Sequence, residues 1–179
     1  MDVEKRGESR ELITRYFMKK KIFGLSVVLV AVDQLIKFFV MNTMYLYQSI
    51  KVIPNFLYLT YVENDGCAFS ILSGGRWFFI IIGVIALILM FKFIFDDTKI
   101  SKFDTICYSL ITSGIVGNLI DRIFYGKVID YIDFHLFGYD APVFNFADMC
   151  IVIGAVMVIY ILMIKGDSNE SVYGRKRIK

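Results

Sequence analysis

The stretch WFFIIIGVIALILMFKFIF, residues 77–95, decides the fold class of this chain. It is apolar throughout except for Lys92 near its end, and it approaches the ~20 residues that a helix needs to cross a bilayer. A strand of a membrane β-barrel would instead show alternating polarity over only about 10 residues. The stretch therefore predicts a transmembrane helix.

Three further apolar stretches predict three more membrane spans, at residues 22–41, 106–120 and 149–164. The last two are short for a hydrocarbon core of about 30 Å, so each is expected to extend by a turn that carries a polar residue to the rim. The whole chain is 57% hydrophobic with a mean hydropathy of +0.61, which excludes disordered, collagen-like and ordinary soluble proteins. The sequence predicts a membrane all-α protein with four transmembrane helices.

The link between the first two spans contains KVIPNFLYLTYVENDG, residues 51–66. It is rich in aromatic and β-branched residues, and it ends in the turn signal Asn64-Asp65-Gly66. This pattern predicts a small extracytoplasmic β-strand or hairpin between helices 1 and 2.

The basic residues predict the topology. Fifteen of the twenty Lys and Arg residues lie in three segments, 1–21, 92–103 and 165–179. The positive-inside rule places such segments in the cytoplasm, so both termini are expected there and the links 42–76 and 122–148 outside. The expected organisation is a basic cytoplasmic N-terminal segment, a four-helix membrane domain and a basic cytoplasmic tail, covering residues 1–21, 22–165 and 166–179.

Polar side chains within membrane spans are costly and therefore mark candidate functional sites. Asp33 and Lys37 are one helical turn apart in the first span, where they form either an ion pair that eases insertion or part of a polar interior site. Asn118, Asp121 and Arg122 share one helix face at the outer end of the third span. Interfacial capping and snorkelling is the structural alternative for this second group.

Two carboxylates on the outer side form a candidate catalytic pair. Asp130 lies in the otherwise apolar run GKVIDYIDF, where Asp133 is its obvious competitor. Asp148 opens the fourth span in FNFAD together with Asn145, although a helix cap is a sound alternative for Asp148. Two carboxylates at a low-dielectric rim cannot both ionise readily, so one keeps a proton and the pair divides into a base and an acid. This is the arrangement with which aspartic proteases activate water.

Other chemistries find little support. The chain has three cysteines and one histidine, His135, and it contains no CxxC, HExxH or GxSxG motif. No motif indicates a metal or an organic cofactor. Two alternatives from other classes remain: a proton-coupled transporter with Asp33, Lys37 and Asp121 as a relay, and a structural or lipoprotein-assembly subunit.

Four motifs in a fixed order resemble the lipoprotein signal peptidases, the bacterial signal peptidase II family. They are VDQLIK, YVENDGCAFSIL, GIVGNLIDRIFYGKVIDYIDF and VFNFADMCIVIG, and together they extend from about Asp33 to Gly154. The family usually has Ala-Ala-Phe after the Asn-x-Gly turn, whereas this chain has Cys67-Ala68-Phe69.

The resemblance implies an aspartic endopeptidase that cuts diacylglyceryl-modified prolipoproteins just before the lipid-modified cysteine. It implies a bacterial cytoplasmic (inner) membrane location with the active site at the extracytoplasmic face, contact with membrane lipid, inhibition by globomycin-type compounds and no nucleic-acid partner. Asp130 and Asp148 match the family's catalytic pair, which decides against Asp133. The matching positions expected to line and support the substrate site are Asp33, Lys37, Asn64, Gly66, Asn118, Asp121, Arg122 and Asn145.

Overall fold

The computed structural model describes residues 2–66, 74–97, 100–136 and 139–175. The departure from the family motif at residues 67–69 and the last four residues of the basic tail lie outside these described residues.

Four long helices carry the fold: α1 (Asp2–Thr43), α2 (Arg76–Asp96), α3 (Lys102–Phe124) and α4 (Phe146–Arg175). Each contains a segment long and apolar enough to cross a membrane. The predicted four-span architecture is therefore confirmed. Both α3 and α4 begin before their apolar stretches, as expected from the length that a span requires.

Local signals define the start of α3, whereas α1 begins well before its apolar stretch. Ser101 and Asp104 form a reciprocal capping box at the start of α3, in which each side chain accepts a hydrogen bond from the backbone N–H of the other residue. In contrast, α1 is one continuous helix from Asp2, so the polar N-terminal segment extends the first span as helix.

Four antiparallel strands form one sheet in the order β1-β2-β3-β4. The strands β1 (Ser49–Ile53) and β2 (Leu57–Asn64) confirm the hairpin predicted between the first two spans. The other two, β3 (Val128–Leu136) and β4 (Tyr139–Asp140), come from the link between α3 and α4 and were not predicted. Because β3 pairs with β2, the chain segment that carries Asp130 lies beside the segment that carries Asn64.

The sheet is attached to one end of the helix bundle by a small apolar core. Val40 and Met44 of α1 pack against Tyr61 of β2 and against Ile129 and Tyr131 of β3. A second apolar cluster lies further along the bundle and consists of Ile22, Ile94, Cys107 and Tyr108. The sheet thus fixes one end of the bundle, the end where the polar motif residues meet.

Two glycines on α3 allow the helices to approach closely beside those residues. A Cβ atom at Gly114 would overlap the backbone oxygen of Ala147 in α4, and one at Gly117 would lie 2.6 Å from a carboxylate oxygen of Asp33 in α1. Any larger residue would force the three helices apart.

We therefore expect Gly117→Ala to destabilise the fold, which is measured as a lower midpoint of thermal unfolding in detergent. The matched control is Gly24→Ala, because a Cβ atom at Gly24 would meet nothing within 4 Å.

Candidate active site

Asp130 lies on β3 and is almost completely buried, with 2% of its surface exposed. Its two carboxylate oxygens accept hydrogen bonds from two asparagine side chains. The Asn145 Nδ2 donates at 2.6 Å to one oxygen, and the Asn64 Nδ2 donates at 3.0 Å to the other. The carboxyl group is thus held in a fixed orientation by amides from β2 and from the start of α4.

Asp148 is positioned by the start of α4. Asn145, the residue before the helix, accepts a hydrogen bond from the backbone N–H of Asp148 at 3.0 Å, and Asp148 accepts one from the backbone N–H of Asn145 at 3.3 Å. This reciprocal pair is a capping box made with amide and carboxylate groups. The cap predicted as an alternative for Asp148 is present, and it fixes the side chain without occupying its second oxygen.

The second oxygen of Asp148 accepts a hydrogen bond from the Asn118 Nδ2 of α3 at 2.7 Å. The carbonyl oxygen of the same Asn118 side chain accepts a hydrogen bond from Asn145 at 3.2 Å. The two aspartates are therefore joined through shared amide partners. One hydrogen-bond network thus connects residues from β3, α3 and the beginning of α4.

The surroundings of Asp130 alter its acidity. Burial, together with the neighbouring Asp148 carboxylate, raises the pKa of Asp130 to about 7, although hydrogen bonds from Asn64 and Asn145 act in the opposite direction. A carboxyl group with such a pKa is mostly protonated below about pH 7 and mostly ionised above it. Asp130 is thus able to act as a proton donor near neutral pH.

A buried cluster of charges lies behind the pair. The Lys37 ammonium contacts Asp33 at 2.9 Å, Asp121 at 2.7 Å and the Asn118 carbonyl oxygen at 3.2 Å. These three contacts match the three N–H donors of an ammonium group. Lys37 therefore pairs with two carboxylates and also orients the asparagine that contacts Asp148.

The two carboxylates of the cluster also accept hydrogen bonds from backbone N–H groups. Asp33 accepts a hydrogen bond from the backbone N–H of Ala147 in the first turn of α4, and Asp121 accepts one from the N–H of Ile129, next to Asp130. The cluster thus links α1 and α3 to the backbone immediately beside each candidate catalytic residue. Its members support the site and do not line the cavity described below.

Sequence reasoning missed Gln34, a further member of the cluster. Its side-chain amide lies 2.9 Å from Asp121, 3.2 Å from Asp33 and 3.3 Å from the Gly117 oxygen. A polar residue inside the first span and next to Asp33 was the available signal. Tyr131 was also missed: its hydroxyl accepts a hydrogen bond from the Phe146 N–H at the start of α4.

The turn after β2 completes the rim of the site. The Asn64 carbonyl oxygen accepts a hydrogen bond from the Gly66 N–H at 3.0 Å, while the same side chain donates to Asp130. The Arg122 guanidinium lies 3.3 Å from the Gly66 oxygen and 5.0 Å from the centre of the Phe79 ring. Arg122 thus holds a backbone carbonyl of the turn.

Asp133, the competitor of Asp130, takes part in a different set of contacts. It lies three residues further along the same strand, so the two side chains point to opposite faces of the sheet. It accepts a hydrogen bond from the Thr60 hydroxyl at 2.6 Å and lies 3.3 Å from the His135 ring. Asp133 is also absent from the cavity that Asp130 lines.

Both members of the pair line one cavity of about 260 Å³. Polar side chains from the motifs and an apolar segment before α4 form its wall: Asn64, Asn118, Arg122, Pro142, Val143 and Phe144. This cavity, hereafter the dyad cavity, holds a carboxyl pair with amide and guanidinium donors around it. It can accommodate an extended peptide bond and an attacking water.

Two apolar grooves adjoin the dyad cavity. The α4 groove, of about 350 Å³, shares Phe144 and Asp148 with it and continues over Met149, Val152 and Ile153. The α2–α3 groove, of about 250 Å³, shares Asn118 and Arg122 with it and continues over Phe79, Ile82, Gly83, Ala86 and Ile115. The carboxyl pair therefore lies between two apolar surfaces.

The chain is similar to known proteins over most of its length. The family model described as signal peptidase (SPase) II matches residues 25–164. Lipoprotein signal peptidases of Staphylococcus aureus are 40% identical (strain bovine RF122 / ET3-1) and 41% identical (strain JH9) over 156 residues, which cover 87% of this chain and 94% of theirs.

Two solved structures share the fold of this chain. A bacterial membrane enzyme solved by the in meso method at 2.3 Å resolution superimposes with a TM-score of 0.76 at 40% identity, covering 83% of this chain and 90% of that one. A second, at 1.9 Å resolution, superimposes with a TM-score of 0.72 at 40% identity over 79% and 91% of the two chains. The resemblance seen in the four motifs is confirmed, and this chain, a multi-pass bacterial membrane hydrolase, belongs to the signal peptidase II family.

Proposed function

We propose that this protein removes the signal peptide from diacylglyceryl-modified prolipoproteins, cutting just before the lipid-modified cysteine. One observation carries the proposal: the protonatable Asp130 and the capped Asp148 line a single cavity between two apolar grooves. A prolipoprotein has an apolar arm on each side of the scissile bond, since a signal peptide precedes the bond and a lipid follows it. Family membership favours this function over the transporter and the assembly subunit.

In the proposed mechanism, the two aspartates share the proton transfers. Asp148 takes a proton from a water molecule as the water oxygen attacks the scissile carbonyl. Asp130, in its protonated form, donates a hydrogen bond to the carbonyl oxygen as negative charge develops there. When the C–N bond breaks, Asp148 passes the proton that it took from water to the leaving amine, and the pair returns to one protonated and one ionised carboxyl group.

The surrounding residues orient these two groups. Asn145 holds both aspartates, Asn118 holds Asp148 and is itself held by Lys37, and Asn64 holds Asp130. The amide groups do not titrate, so they can keep this geometry while protons move between the carboxyl groups.

The proposed location is the outer face of the cytoplasmic membrane, with both termini in the cytoplasm. The basic segments of the sequence support this orientation. The dyad cavity lies at the end of the bundle that carries the sheet, and the basic N-terminal part of α1 extends from the opposite end. A lipid-anchored substrate presents its scissile bond at this interface because both of its apolar arms remain in the bilayer.

The test of this function is cleavage of a purified prolipoprotein with and without its diacylglyceryl group. We expect the detergent-solubilised protein to release the signal peptide from the lipidated substrate and to leave the unlipidated one intact. Equal cleavage of both substrates would contradict the proposed role of the lipid.

The activity is expected to fall as the pH rises through about 7, because Asp130 then loses the proton that the mechanism requires. Replacing Asn64 with alanine removes a hydrogen bond that lowers the pKa of Asp130, so Asn64→Ala should move this alkaline limb to higher pH. The measurement is kcat against pH for both proteins. An alkaline limb that stays in place in the variant would contradict Asp130 as the acid.

Filling either groove is expected to weaken substrate binding more than it slows catalysis. Val152→Trp in the α4 groove and Ala86→Phe in the α2–α3 groove should each raise KM by about tenfold, or ~1.4 kcal/mol of binding, with kcat nearly unchanged. Ile81→Trp is the matched control, since Ile81 is exposed on α2 and lines neither groove. Unchanged KM values in both groove variants would exclude the grooves as substrate sites.

A further inference from the structure

The N-terminal part of α1, residues 9–21, lies outside the region that the family model matches. It is placed at the end of the bundle opposite the dyad cavity. The Lys19 ammonium donates to the backbone oxygen of Phe95 near the end of α2 at 2.8 Å and lies over the Phe95 ring. Nothing in the proposed peptidase mechanism uses this segment.

An exposed apolar stripe follows one side of this segment. Leu12, Ile13, Tyr16 and Phe17 are exposed by 55%, 56%, 57% and 56%. Their spacing of one, three and one residues places them next to one another on a single helix face. A contiguous exposed apolar patch on a helix outside the bundle marks an interaction surface.

Basic side chains border the stripe on both edges. On one edge, beside Phe17, lie Arg10 and Lys21. On the other edge, beside Leu12, lie Lys19 and Arg15. Within the stripe, the Lys20 ammonium lies 4.6 Å from the centre of the Tyr16 ring. An apolar face with aromatic residues and a border of Lys and Arg is the pattern of a helix that lies in a membrane interface. The long basic side chains can then reach the headgroups from the edges.

The length of α1 is compatible with this location. Its 35-residue membrane-competent part, Ser9–Thr43, is about 52 Å long at 1.5 Å per residue. A bilayer measures about 40–45 Å including its headgroups, and transmembrane helices tilt by up to about 40°. A tilt near 40° shortens the depth that this part spans to about 40 Å, so residues 9–21 then extend from the edge of the acyl chains through one headgroup layer. This segment carries five basic side chains and one acidic side chain. Anionic headgroups therefore attract it.

We propose that residues 9–21 of α1 form a binding surface for anionic phospholipid headgroups, a role separate from peptide cleavage. In this arrangement the apolar stripe lies against the acyl chains and the bordering Lys and Arg residues bind phosphate groups. The surface anchors and tilts the long first helix at the membrane face opposite the active site.

The test places an environment-sensitive fluorophore at Ile13→Cys in the full-length protein, reconstituted in nanodiscs of phosphatidylglycerol or of phosphatidylcholine. Cys67 is replaced by alanine; Cys107 and Cys150 are buried and stay. We expect spin-labelled lipid to quench the fluorophore several-fold more strongly in the anionic discs, and high salt to reduce this difference. Lys19→Gln/Lys20→Gln/Lys21→Gln should abolish the difference, while Lys51→Gln, an exposed lysine on β1, should leave it intact.

Two results would overturn the proposal. Equal quenching in the two lipids would show that headgroup charge has no role. A fluorophore that is shielded from water but not quenched by spin-labelled lipid, in nanodiscs that contain two protein copies, would show that a second chain covers the stripe. The triple lysine variant should cleave substrate normally in detergent, so this test can fail while the proposed peptidase function stands.

Discussion

Replacement of either Asp130 or Asp148 by asparagine is expected to lower kcat by about 10²- to 10⁴-fold, the range for loss of a positioned acid or base. Asparagine keeps the size of the side chain and one acceptor oxygen but cannot exchange a proton at neutral pH. The measurement is the initial rate of signal-peptide release from a diacylglyceryl-modified prolipoprotein. Since the two groups act as a unit, the double variant should be little slower than either single variant.

Asp133→Asn is the matched control for this prediction. Asp133 lies on the same strand but contacts Thr60 and His135 and does not line the dyad cavity. It should retain nearly full activity. Folding of each variant is checked by thermal unfolding in detergent, and a folded Asp130→Asn protein with normal kcat would exclude the proposed acid.

The second large effect is expected on stability. Lys37→Met removes the cation that both Asp33 and Asp121 contact, and all three side chains are buried. Breaking a buried ion pair by removing one partner costs about 3–5 kcal/mol, because a carboxylate is left unpaired. We expect the free energy of unfolding in detergent to fall by about this amount. The activity should fall as well, since Lys37 also orients Asn118.

Two comparisons separate this charge effect from a general loss of packing. Lys127→Gln breaks a solvent-exposed pair with Glu63 and should leave stability unchanged within error. Asp33→Asn combined with Lys37→Met removes one of the unpaired carboxylates and should recover part of the lost stability. If Lys37→Met lowered the free energy of unfolding as little as Lys127→Gln does, Lys37 would not hold the cluster together.

Much of the fold was predictable from the sequence because the dominant signals were local. Long apolar stretches indicated the four spans, and the aromatic and β-branched stretch that ends at the turn Asn64-Asp65-Gly66 indicated the β1–β2 hairpin. The strand β3 was missed because VIDYIDF was read as an apolar run and not as an alternating strand. Alternation places Asp130 and Asp133 on opposite faces, and this would have separated the two carboxylates without any family resemblance.

The contacts within the site were less predictable because they depend on how distant segments pack. Spacing placed Asp33 and Lys37 on one face, but only the fold shows that Asp121 is the second partner of Lys37. Gly117 was not singled out, although a side chain there would collide with Asp33. Such requirements arise from the approach of α1, α3 and α4, which no single segment encodes.

The most direct test of the central claim is mass spectrometry of a diacylglyceryl-modified prolipoprotein after incubation with purified wild-type protein and with Asp130→Asn. We predict one new product with the wild type, a protein that begins at the lipid-modified cysteine, and no product with the folded variant. A folded wild-type protein that left several lipidated substrates intact, or a folded Asp130→Asn variant that produced the same cut, would contradict an aspartate pair that cleaves lipoprotein signal peptides.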